Sequence, residues 1–432
     1  MIKHFFEPNS VALIGASNNR DKIGYKIMSN LQFFTGKLYP INPHETNILG
    51  FQSYPSVMSI KDKVDLAVIV VPEKIVPKVL ADCGKKKIQS AVIISAGFSE
   101  IGNKKAEESL VKLAKKYKIQ ILGPNCFGVV NTYLKLDTTF SRTTPERGHI
   151  AFVSQSGALW AAIADWSQGK YKFSKFASMG NMSDVEFADV IEYLNKDQET
   201  KVIVCYIETL KNGKKLMQIA KKCKKPIIAI KAGSSAAGEK AALSHTGSLA
   251  SEYNIYKAAF RQSGIILAST LTEAFDKAEL LSSQKIKGKR VVIVTNGGGN
   301  GVLTADQCEK YGLKIVELPK KILTKLKTLP KTWSHSNPMD LVGDANYERY
   351  KLVLDSLKNE KFYDSLIIIL LELGSIEVEK VTNEIISFKN STDKTIIGCF
   401  IGGKNIEKAM ETLHQNGIPC FYEPERAART LA

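Results

Sequence analysis

The sequence predicts an α/β chain made of three consecutive doubly wound domains. Short β-branched runs alternate with helical patterns along the whole chain, which is the mark of βαβ units and parallel sheets. Several of these runs end on glycine- or serine-rich turns that open a helix. The alternation falls into three blocks of about one domain each: 1–147, 148–285 and 286–432.

In the first block the expected strands are Val11–Ile14, Leu38–Ile41, Leu66–Val71, Ala91–Ile94 and Ile119–Leu122. The second opens at Ile150–Val153 and continues with Phe173–Ala177, Val202–Ile207, Ile227–Ile230 and Ile265–Ala268. A charged linker, Gln284–Arg290, leads to the third, with strands Val291–Val294, Ile315–Leu318, Leu366–Leu371, Thr395–Phe400 and Ile418–Phe421.

Composition excludes several classes. No apolar run approaches the roughly 20 residues that cross a bilayer, and the N-terminal Met1–Phe6 turns polar too soon for a signal peptide. Seven scattered cysteines without a CxxC pair argue for reduced thiols in a cytoplasm and against a disulfide framework or a zinc site. The net charge of +17 comes mostly from lysines spread over every helix, so it reads as a solvated surface and not as a nucleic-acid patch. Such a field also helps capture anionic ligands.

Strand Val11–Ile14 runs into Gly15-Ala16-Ser17-Asn18-Asn19-Arg20-Asp21-Lys22-Ile23-Gly24. A glycine there allows a sharp turn, and the following helix offers free N–H groups to a phosphate. Ser17 and Arg20 stand where a dinucleotide fingerprint has glycines, and Asn42-Pro43-His44 stands where NAD sites carry an acid. A ligand with an additional phosphate, such as CoA, suits Lys22 better, although a plain turn would read the same from this loop alone. Ser95-Ala96-Gly97 and Gly123-Pro124-Asn125-Cys126 end later strands of the block and converge on the same edge. Cys126 has no nearby histidine partner and reads as a packing residue.

In the second block, Ser154-Gln155-Ser156-Gly157 opens a helix whose dipole favours an anion by about 0.3–1 kcal/mol. Leu159, Ile163 and Trp166 form its expected core stripe. Of six histidines, His245 alone lies among small residues, in Ser244-His245-Thr246-Gly247-Ser248. A neutral imidazole can carry a phosphoryl group if a carboxylate fixes its tautomer. Glu208, just past a strand, lies on the edge suited to that task.

These motifs, with Ser336-Asn337-Pro338-Met339-Asp340, together resemble the NDP-forming acyl-CoA synthetase superfamily that includes succinyl-CoA synthetase. Within it they are most similar to α subunits of ADP-forming acetyl-CoA synthetases (acetate–CoA ligases). The resemblance implies a Rossmann-like CoA-binding domain followed by two flavodoxin-like ligase-CoA domains. It implies that His245 becomes phosphorylated, that Glu208 orients it, and that Ser154, Gln155, Ser156, Gly157 and Gly247 hold phosphate. CoA is then expected on Gly15, Ala16, Ser17, Lys22, Gly24, Ser95, Ala96, Gly97 and Asn125. The expected reaction is acyl-CoA + ADP + phosphate ⇌ carboxylic acid + ATP + CoA. With no ATP-grasp pattern in the chain, ADP or ATP with Mg²⁺ is expected on a separate ATP-grasp β subunit, in an α2β2 assembly. No metal ligands are expected here. Trp160 is bulkier than the family pattern and bears on the shape of the acyl pocket. The Thr295–Gly301 loop looks like a nucleotide loop but is assigned no catalysis. The competing readings are a non-catalytic CoA-binding regulatory protein and a succinate-specific α subunit; retention of Glu208 and His245 counts against the first, the third domain against the second.

Overall fold

The computed structural model describes residues 2–235, 237–238, 253–374 and 376–432. The chain divides into two compact units, 1–270 and 271–432.

The first unit holds two large sheets. One is all parallel, in the order Lys37–Ile41, Ser10–Ile14, Leu66–Ile69, Ser90–Ile93, Gln120–Leu122. The chain reverses its winding at Ser10–Ile14, so the crevice outside the carboxyl end of that strand is where this topology places ligands. The strands read as unbroken apolar runs because helices cover both faces: all five residues of Ser10–Ile14 are buried. Helix Val76–Lys85 packs through Val76, Leu80, Cys83 and Gly84, a 3.6-residue spacing.

The second sheet runs Ile266–Ala268, Ile227–Lys231, Val202–Ile207, Arg147–Ser154, Phe173–Ser178, and these five are parallel. Its switch strand is Arg147–Ser154. Two further strands, Val129–Asn131 and Leu136–Asp137, extend it antiparallel beside Phe173–Ser178. The sequence reading expected no strand there and placed that stretch in the first block. Two- and three-residue strands leave no alternation to detect.

Helix Gly157–Trp166 differs from expectation in its buried face. Trp160, Ile163 and Ala164 are the buried residues, while Trp166 is 39% exposed. Trp160 stacks on Phe176 with centroids 4.0 Å apart and meets Phe173 edge-on at 5.2 Å. Packing a large aromatic inward overrode the simple spacing of Leu159 and Trp166.

The second unit is built on one sheet, Lys314–Ile315, Arg290–Thr295, Ser365–Leu371, Thr395–Ile401, Cys420–Phe421, with Met339–Asp340 also beside the end of Arg290–Thr295. Helix Leu271–Ser283 belongs to this unit. Its buried Asp276 receives a forked bond from the Arg426 guanidinium at 3.0 and 2.8 Å. The stretch read as a linker is tied down as well: Gln284 Nε2 donates to the Ile396 and Gly417 carbonyls at 2.9 and 3.0 Å.

All seven cysteines are free thiols; six are buried and Cys223 is half-buried. Burial pushes the thiol of Cys83 up to about 12, and that of Cys308 likewise. Among the described residues no helix is long and apolar enough to cross a membrane.

Candidate active site

A cleft of about 1990 Å³ opens in the first unit. Ordinary small-molecule sites measure roughly 300–1,000 Å³, so this one has room for a long ligand and a second small one. It joins the carboxyl ends of the two switch strands. Gly15, Ala16, Ser17, Lys22 and Gly24 line one part, with Ser95, Ala96 and Asn125 beside them. Gln155, Ser156, Gly157 and Glu208 line another.

The first loop is held by close backbone approach. Gly15 has φ +98°, and a Cβ there would lie 2.3 Å from the Val70 carbonyl oxygen. A Cβ on Gly24 would fall 1.9 Å from the Gly15 carbonyl oxygen, so helix Ile23–Leu31 begins directly against the loop. The hydroxyl of Ser17 accepts from the Asn19 N–H at 3.1 Å, and Asn42 Nδ2 donates to the Ala16 carbonyl at 2.8 Å. Lys22 is exposed at the cap position of the helix.

One correction concerns the acid said to be absent after the second strand. Glu45 supplies a carboxylate there. It accepts from the Asn18 backbone at 3.3 Å, from Asn18 Nδ2 at 2.5 Å and from Asn42 Nδ2 at 3.1 Å. The carboxylate is engaged by the loop's own donors, and it does not line the cleft. The displacement by one residue past His44 hid it from the motif.

The second part is a capped helix start. Ser156 Oγ accepts from the Leu159 N–H at 3.3 Å. Ser154 is fully buried, outside the cleft lining; its hydroxyl donates to the Ser156 carbonyl at 2.9 Å and accepts from the Ser156 N–H. Gln155 Oε1 accepts from the backbone N–H groups of Glu208 and Thr209, which ties the two strand ends together. Gly97 also stays outside the lining, with φ +114° and its N–H on Glu100 Oε1 at 2.5 Å. His245 and Gly247 lie outside the described residues.

Trp160 does not line the cleft; it is core, so it bears on the pocket only through the helix it anchors. Cys126 is buried, and burial pushes its thiol up to about 12, which suits packing and not nucleophilic attack. The sequence reading overlooked Asn181, Glu100 and Glu107, which also line the cleft. Gly180-Asn181 follows strand Phe173–Ser178, so a search of every strand's carboxyl end could have found it.

In the second unit, Asp340 stands at the start of helix Gly298–Lys310: a Cβ on Gly298 would lie 2.6 Å from its carboxylate. That negative charge complements the helix dipole itself. Among the described residues no cluster of His, Cys, Asp or Glu is arranged to hold a metal ion.

Residues 9–132 match a CoA binding domain, 147–281 a succinyl-CoA ligase like flavodoxin domain, and 291–431 a ligase-CoA domain. The α subunit of acetate–CoA ligase [ADP-forming] II from Pyrococcus furiosus is 43% identical over 99% of this chain and 96% of its own length. The chain belongs to the ADP-forming acetate–CoA ligase family. A family member from Methanocaldococcus jannaschii is 45% identical over all of this chain, which spans 62% of that relative's length. The structure of the dinucleotide forming acetyl-coenzyme A synthetase 1 of Ca. Korarchaeum cryptofilum, in complex with phosphate and ADP, matches with TM-score 0.95 at 35% identity. That match covers 100% of this chain and 95% of the other. The α/β architecture of a CoA-binding domain followed by two flavodoxin-like ligase domains is therefore shared with the family.

Proposed function

We propose that this chain is the CoA-binding, phosphate-carrying α subunit of an ADP-forming acyl-CoA synthetase, interconverting acyl-CoA + ADP + phosphate and carboxylic acid + ATP + CoA. The observation that carries the reading is the single cleft that gathers the Gly15–Ser17 loop, Asn125, the helix start at Gln155–Gly157 and Glu208. CoA runs from the first loop, with Lys22 at its phosphates, to a thiol end near Asn125. Phosphate sits at the helix start that Gly157 opens, beside Gln155 and Ser156, whose own N–H groups brace the turn on the Tyr206 carbonyl and the Ser154 hydroxyl. It attacks the thioester carbon and releases CoA as an acyl phosphate forms. The phosphoryl group then passes to His245, oriented by Glu208, and the carboxylate leaves; Gly247 is proposed among the residues that hold phosphate. ADP, with Mg²⁺, receives the phosphoryl group on an ATP-grasp β subunit; that a further subunit exists is supported by the 'subunit alpha' names of the Pyrococcus relatives. Positioning and oriented N–H groups supply most of the rate.

The test is phosphate labelling. The complete enzyme with ATP and Mg²⁺ should acquire an acid-labile, base-stable phosphate on this chain. His245→Ala should abolish it and cut turnover by at least ~10⁴-fold, the scale for a deleted nucleophile. Glu208→Gln should cost less, within the ~10²–10⁴-fold of acid–base assistance. Phosphate mapped to another residue, or substantial ATP formation by the purified single chain, would overturn the reading.

A further inference from the structure

Two asparagines meet at the cleft wall where the first sheet abuts the second. Asn125 follows strand Gln120–Leu122 at φ +55°, its backbone N–H on the Ser95 carbonyl at 3.0 Å. Asn181 lies in the turn after strand Phe173–Ser178, its backbone N–H on the Pro124 carbonyl at 3.0 Å. Further along, the Ser183 N–H donates to the Gly123 carbonyl at 3.1 Å and the Val185 N–H to the Ile121 carbonyl at 3.2 Å. A Cβ on Gly180 would lie 2.2 Å from the Pro124 carbonyl oxygen, so the two backbones are in closest contact. Main-chain bonds thus fix the pair before any side chain is considered.

The side-chain polarity follows from donor arithmetic. A carboxylate only accepts. Asn181 Nδ2 donates to Glu100 Oε2 at 2.7 Å and to Glu107 Oε2 at 2.8 Å. Both its amide hydrogens are committed, and its Oδ1 accepts from Asn125 Nδ2 at 3.3 Å. That contact orients the Asn125 amide in turn: its nitrogen faces Asn181 and keeps one further N–H. Burial opposes ionisation of Glu100, but the Asn181 amide and the backbone N–H of Gly97 outweigh it and hold the carboxyl below its usual range. The arrangement is therefore maintained at neutral pH.

We infer that Asn125 donates its remaining N–H to the thioester carbonyl oxygen during phosphate attack, and that Asn181 is the positioning residue that aims it. The inference rests on the ligase reading above. In that step a lone pair on phosphate forms the C–O bond and the carbonyl π pair moves onto oxygen. When that pair returns, the C–S bond breaks. CoA leaves as the thiolate and takes the proton that phosphate gives up. Between the two events the oxygen carries added negative charge, and a preoriented N–H stabilises it most at that moment.

The experiment uses the complete enzyme with acetyl-CoA, ADP and phosphate. Asn125→Asp keeps the shape and loses both N–H groups; Asn125→Gly suits the left-handed backbone if the first variant folds poorly. Each should lower kcat by about 10²–10³-fold, the effect of losing one oxyanion donor. KM for acetyl-CoA should change much less than kcat, because the N–H acts mainly as charge builds on the oxygen, and the rate at which ATP phosphorylates His245 should stay at the wild-type value, because that step does not involve the thioester. Asn181→Ala should lose less, and should add almost nothing in the Asn125→Gly background. Wild-type kcat in the Asn125 variants, additive effects of the two positions, or parallel loss of ATP-driven phosphorylation would overturn the assignment. No phosphorylation and no turnover in the wild-type enzyme would instead overturn the ligase reading, and this inference with it.

Discussion

Gln155 Oε1 accepts from the Glu208 backbone N–H at 2.7 Å and from Thr209 at 3.0 Å. One side chain thereby ties the phosphate-side helix start to the backbone of Glu208, the residue proposed to orient His245. Gln155→Ala removes the acceptor and leaves two partly buried donors unmet, each costing about 1–3 kcal/mol unless water replaces it. The expected outcome is a fall in kcat with little change in CoA affinity. Gln155→Glu keeps the acceptor but adds a negative charge beside the phosphate seat, so it should chiefly raise KM for phosphate. Steady-state kinetics with phosphate varied separates the two; equal effects on both parameters in both variants would contradict this account.

Gly24 tolerates no side chain where it stands, given the 1.9 Å approach of a Cβ to the Gly15 carbonyl oxygen. Gly24→Ala must push helix Ile23–Leu31 away from the loop. Overpacking of this sort costs about 1–3 kcal/mol, so a lowered melting temperature is expected together with weaker CoA binding. A variant that melts and binds like the wild type would show that the loop and helix are not pressed together in solution.

The ligand preference of the first domain can be read by calorimetry. Glu45 is occupied by Asn18 and Asn42 and does not line the cleft, while Lys22 does. CoA should bind more tightly than NAD. Lys22→Ala should weaken CoA by up to about fivefold, since an exposed charge contact contributes about 0.2–1 kcal/mol. NAD binding tighter than CoA would reject the argument.

His414 places a pH dependence in the second unit. Its Nδ1 pairs with the buried Glu279 carboxylate and its Nε2 faces the Cys420 carbonyl at 3.1 Å, a setting in which both ring nitrogens donate. Burial opposes the imidazolium, but Glu279 outweighs it and raises the His414 pKa. Burial likewise raises Glu279, against the opposing pull of His414. A raised folded pKa means stabilisation that is complete below the unfolded histidine value of about 6.5 and is lost as pH climbs through the folded value. Melting temperature should therefore fall over that interval in the wild type and change less in His414→Gln. Equal slopes for both proteins would remove His414 from the account.

The parallel strands were legible because burial on both faces writes them as unbroken Val, Ile and Leu runs, as in Leu366–Leu371. Val129–Asn131 and Leu136–Asp137 were not, since their pairing depends on a neighbour, Phe173–Ser178, some 40 residues later. Of the cleft, the loops after strand ends could be read from glycine and serine spacing. The engagement of Glu45, the burial of Ser154 and the Asn181 contacts could not, because each depends on which way a side chain turns once distant segments meet. Trp160 shows the same limit in the core: its size attracted attention, but its direction was set by Phe173 and Phe176.

The seclusion of the cysteines has a practical consequence. Disulfide-exchange chromogens react with thiolates that they can reach, and burial here raises the thiols of Cys83, Cys126, Cys205, Cys223, Cys308, Cys399 and Cys420. The folded chain should be nearly silent toward such a reagent. In the complete enzyme of the proposed reaction, supplied with an acyl-CoA, ADP and phosphate, colour would then count coenzyme molecules set free, over a blank to which this chain adds little. A burst of colour on adding denaturant would mark the moment the hidden sulfurs surface.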